Sequence, residues 1–98
     1  MINRIDNLFI VAMEECAEVA QACSKTMRFG VDSYHPDKGE NELHVDEVMI
    51  EYYQLQSMIE ELQKECILPV YDEERIKAIK EDKLNKVEKY YELYTKNN

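Results

Sequence analysis

Apolar residues recur every three or four positions from Ile5 to Met27, and a wheel drawn at about 100° per residue gathers Leu8, Phe9, Val11, Ala12, Cys16, Val19, Ala22 and Cys23 with them on one arc. This pattern predicts a helix over about 4–29, entered through Asn3 or Asp6 as cap and closed at Gly30. The next stretch collects Pro36, Gly39, Asp and Asn, so 31–41 is expected to be a loop and a candidate lid. Val45, Val48, Tyr52, Leu55, Ile59 and Leu62 predict a second helix over about 42–66, stopped before Pro69. Asp72 then caps a third helix over about 72–95, with Ile76, Ile79, Val87, Tyr90 and Tyr94 on one face and lysines toward the negative end of its dipole.

Three amphipathic helices with short connectors define an all-α chain, expected to fold as one domain, 1–98, in an antiparallel helical bundle. A single core in 98 residues is only marginally stable, so its completion by homo-oligomerisation, as a dimer or a tetramer, is expected. The formal charge of −9 opposes binding to a nucleic-acid backbone, which depends on Lys and Arg displacing counterions. No apolar run approaches the length of a membrane span. The three cysteines, Cys16, Cys23 and Cys66, have no paired spacing and read as small buried apolar residues in a reducing cytoplasm.

Charge becomes informative where it interrupts the apolar arcs. Glu15 falls inside the arc of the first helix and Glu18 on its edge, while Glu14 points outward. Glu51 falls inside the second arc, with Glu47 and Gln54 on one edge of it. Lys80 and Lys83 lie within the third. Inward carboxylates need a cation or a proton, because they are almost never buried alone. An internal ion-pair network between these acids and lysines explains each residue taken singly, with long stems reaching solvent at the bundle end. For the whole set, a hard divalent cation is the alternative, since Mg²⁺ takes carboxylate oxygens and is completed by water and phosphates. Glutamates at i and i+3 on one helix facing others on a neighbour are a geometry that metal sites in bundles use.

These residues resemble the MazG-like family of all-α nucleoside-triphosphate pyrophosphohydrolases, whose members carry EExxE on one helix and ExxD on the next. Glu14-Glu15-Cys16-Ala17-Glu18 matches EExxE, its continuation through Ser24-Lys25 and Arg28-Phe29-Gly30 looks like that of short phage-encoded members, and the last helix is similar to theirs. The resemblance implies that Glu15, Glu18, Glu51 and Gln54 occupy the metal positions, with Glu14 or Glu47 orienting water if the chain is active. It further implies that Lys25, Arg28, Lys80, Lys83 and Tyr90 contact phosphate and sugar. The second motif departs from the pattern: the best register reads Glu51-xx-Gln54, and sliding it to Glu47 places Ile50 at the Asp position. Gln54 offers one neutral carbonyl oxygen and no charge, which weakens Mg²⁺ binding.

Three functions follow as expectations. In one, the chain binds and sequesters a phosphorylated nucleotide in a cup between the helices, with little or no hydrolysis and no obligatory cofactor. In another, it is an enzyme cleaving nucleoside triphosphates to monophosphate and pyrophosphate with Mg²⁺, or Mn²⁺ in its place. In the last it is a structural interaction module, its inward charges paired among themselves. Loss of one metal ligand removes transition-state stabilisation while phosphate contacts survive, which favours the non-hydrolytic binder. Lys25 and Arg28 equally suit a solvated helix end answering the dipole. The tyrosines suit a core or a dimer interface, and His35 and His44 read as loop polarity.

Overall fold

A computed structural model describes residues 2–96 and is all-helical: α1 spans Arg4–Phe29, α2 His44–Lys64 and α3 Glu73–Lys96. Among the described residues there is no strand beyond a single bridge between Tyr34 and Leu43. No described helix is long and apolar enough to cross a membrane. The chain divides into two compact units, the first running to Leu68 and the second starting at Pro69.

The first unit is an antiparallel helical hairpin. At one end the Arg4 guanidinium, opening α1, reaches Glu61 in the last turn of α2 at 2.9 Å and Glu65 just past its end at 3.0 Å. At the other, Lys25 near the end of α1 stands 3.8 Å from Glu47 in the first turn of α2. Leu8, Ala12, Ala22 and Leu62 form its buried core, and Leu62 is wholly enclosed. Asn3 caps α1 by accepting the Asp6 N–H at 2.8 Å, and Gly30, at φ +100°, closes it by donating to the Thr26 carbonyl.

The connection folds back on itself through the Tyr34–Leu43 bridge, and the His44 N–H donates to the Ser33 carbonyl at 2.9 Å. It thereby delays the start of α2 to His44, two residues past the expected start, and the N-cap residue Leu43 makes no side-chain cap. At its other end α2 stops at Lys64. Cys66 turns to φ +60° and donates to Gln63, while Ile67 donates to Leu62, so the chain leaves by a Schellman turn before Pro69 is reached.

One expectation is corrected outright. Cys16, Cys23 and Cys66 are all exposed free thiols. The apolar arc of α1 is wider than one partner helix covers, so Cys16, Cys23, Met27 and part of Phe9 remain outside the core.

The second unit holds α3, capped as expected by Asp72, which accepts the Arg75 N–H at 2.8 Å. Surface pairs Lys77–Glu81 and Asp82–Lys86 lie one turn apart along it. Among the described residues of this unit no side chain is buried, and the apolar stripe of Ile76, Ile79, Leu84, Val87 and Tyr90 is exposed.

Candidate functional site

On the hairpin, α1 presents Glu15 and α2 presents Glu51 and Gln54 toward one another. In the orientation that faces no acceptor with an acceptor, the Gln54 amide nitrogen donates to Glu51 Oε2 at 2.8 Å and to Glu15 Oε2 at 3.2 Å. The amide thus spans two carboxyls on different helices. The Gln54 amide therefore holds the Glu15 and Glu51 carboxyls close to one another across the helix pair.

Electrostatics follow from this crowding. Glu51 is half-buried, and loss of surrounding water is the first cause holding its carboxyl above the ordinary glutamate range. The charges of Glu15 and Glu18, the hydrogen bond from Glu15 and the charge of Glu47 push in the same direction. Three neighbouring acids therefore act on Glu51 across the face shared by the two helices. Glu15, Glu47 and Glu51 are half-buried, whereas Glu14, Glu18 and Gln54 are exposed.

Cations flank the cluster at one end. The Lys25 ammonium lies 3.8 Å from Glu47 Oε2, and the Lys38 ammonium 3.9 Å from Glu47 Oε1. Arg28 turns to the ring of Phe29, its guanidinium carbon 5.8 Å from the centroid. Lys80, Lys83 and Tyr90 belong to the second unit, where the two lysines edge a shallow groove with Ile79 and Leu84 and Tyr90 is exposed.

The donor set does not fit a metal centre as it stands. Among the described residues no group of three or more His, Cys, Asp or Glu converges closely enough to hold a metal ion. Glu15 and Glu51 are instead joined by the Gln54 amide.

Two features depart from the sequence expectations: Lys38 is not among the expected cations, and His44, expected as loop polarity, is a buried residue opening α2. Lys38 sits in the connection, beside a turn that Gly39 makes at φ +84°, and helical periodicity gives no signal for such a residue. His44 is buried at 4% exposure, packs against Phe29 at a tilt of 34° with centroids 5.9 Å apart, and has its Nδ1 2.9 Å from Ser33 Oγ. Its partner lies eleven residues earlier in the chain. Only the folded connection brings the two together.

No family model matches this chain, and neither does any curated protein or solved structure in the comparisons made.

Proposed function

We propose that the face of the hairpin bearing Glu15, Glu47, Glu51, Gln54 and Lys25 binds a phosphorylated nucleotide and retains it with little or no hydrolysis. The observation that carries this reading is the Gln54 amide held between Glu15 and Glu51 at 3.2 and 2.8 Å. A neutral amide at that place removes one charge from the acid set and occupies oxygens that a catalytic cation needs. Carboxylate and amide groups pair with sugar hydroxyls or ring N–H donors, and Lys25 and Lys38 supply the charge that phosphate requires. Lys80, Lys83 and Tyr90 belong to the other unit and take no part in this reading. The likeness to short phage-encoded MazG-like proteins suggests withdrawal of a signalling nucleotide, linear or cyclic, as its use. The apolar surface left on both units supports assembly with further copies of the chain.

A second reading is Mg²⁺-dependent pyrophosphohydrolysis. It is favoured by the repulsion that Glu15, Glu18 and Glu47 exert on Glu51, which an added cation relieves. Incubation with a nucleoside-triphosphate panel and Mg²⁺ or Mn²⁺, read as pyrophosphate release, separates the two. The retaining reading expects no steady release and a thermal shift with mononucleotides or cyclic dinucleotides. Release abolished by Glu15→Gln establishes the enzyme, and a blank in both assays leaves the interaction module.

A further inference from the structure

A separate pocket of about 360 Å³ opens between the end of α1, the connection and the start of α2, lined by Lys25, Phe29, Tyr34, His35, Pro36 and His44. Five of these six present a ring, and the sixth is an ammonium. The volume lies toward the lower end for small-molecule sites, enough for one ring system. Flat aromatic walls with one cation at the rim suit a planar ring that carries an anionic substituent.

The hydrogen bonds define what the walls offer. The single hydroxyl proton of Ser33 goes to the Gly30 carbonyl at 2.6 Å, since a carbonyl can only accept. Ser33 Oγ must then accept from His44 Nδ1, which therefore bears hydrogen, and the Nε2 of a neutral His44 is an acceptor. His35 Nδ1 accepts the Asp37 N–H at 3.2 Å, which places the proton of its neutral ring on Nε2. The two lining imidazoles thus carry one acceptor and one donor nitrogen, the pair of functions that a nucleobase edge complements.

We infer that this pocket seats the base of the nucleotide, stacked among Phe29, Tyr34 and His44, while Lys25 at its rim reaches the first phosphate. The inference rests on the nucleotide reading above and extends it. Lys25 lines the pocket and also stands 3.8 Å from Glu47, so one ammonium adjoins both the pocket and the acid face. The volume admits one base, so a second base of a dinucleotide has to lie outside.

The test uses the full chain, with AMP and UMP as probes and ribose 5-phosphate as the control without a base, followed by side-chain NMR and calorimetric titration. The better-bound mononucleotide is expected to move the ring resonances of Phe29, Tyr34 and His44. Tyr34→Ala, in the exposed connection, is expected to weaken it at least tenfold and Tyr34→Phe hardly at all, with ribose 5-phosphate affinity unchanged in both. Lys25→Gln is expected to weaken mononucleotide and sugar phosphate alike. Unchanged affinity in Tyr34→Ala, with loss in Glu15→Gln, overturns the base pocket and leaves the acid-face reading intact. Loss in Tyr34→Ala with no effect of Glu15→Gln or Gln54→Ala upholds the pocket and removes the acid face. Absence of any mononucleotide binding overturns both.

Discussion

Gln54 stabilises an arrangement that carboxylates alone would resist, because its amide N–H groups are shared by Glu15 and Glu51. Gln54→Asp replaces those donors by a third negative group. Its melting temperature at pH 7 is expected to fall by several degrees, the deficit shrinking toward pH 4 as the acids take up protons. Added Mg²⁺ is expected to stabilise this variant more than the parent chain, a difference that calorimetry reads directly. Glu51 gives a test of opposite sign. Its carboxyl is held above the ordinary range in the folded chain, so native and unfolded forms are equally protonated below about pH 4.3, and stability is lost as pH rises through the native value. Glu51→Gln removes that loss: its melting temperature should exceed the parent's at pH 7 and converge with it near pH 4. The gathering of Glu15, Glu51 and Gln54 was legible from the helical wheel, because a period of about 3.6 residues fixes which face a residue occupies. The amide bridge was not, since side-chain torsions depend on the neighbouring helix.

At the scale of elements, the ends that carry their own chemistry were readable and the others were not. Asn3, Gly30 and Asp72 cap through local contacts, and α1 spans the expected 4–29. Leu43 offers no capping side chain, and the true start of α2 is set by the folded connection. The end of α2 is set by Cys66, a residue whose type gives no warning of a left-handed conformation. A side chain there costs about 1–2 kcal/mol relative to the right-handed region, a cost that glycine escapes. Cys66→Gly is therefore expected to raise stability by roughly 0.5–1 kcal/mol in urea titration, after allowance for the greater freedom of glycine when unfolded. Leu62, wholly enclosed between the helices, gives the contrasting case: Leu62→Ala should cost about 2–5 kcal/mol in the same measurement.

For the whole molecule, the unmet requirement is apolar cover. Met27 is 84% exposed and Val31 65%, beside a groove of Cys23, Val45 and Val48, while α3 leaves Ile79 and Leu84 in the open. Light scattering at micromolar concentration is expected to give a multiple of the 11.7 kDa chain mass, and Ile79→Asp with Leu84→Asp to lower it. The all-α class followed from periodicity, but the division after Leu68 did not, because a stripe on α3 shows that the helix needs a partner without showing where that partner lies. The bare stripe of α3 has a consequence for backbone dynamics. A helix whose unit has no buried side chain among its described residues draws little protection from that unit, so in dilute solution its peptide N–H groups should trade protons for deuterons far sooner than those around Leu62. Raising the protein concentration should slow that exchange in α3 before it changes anything in the hairpin.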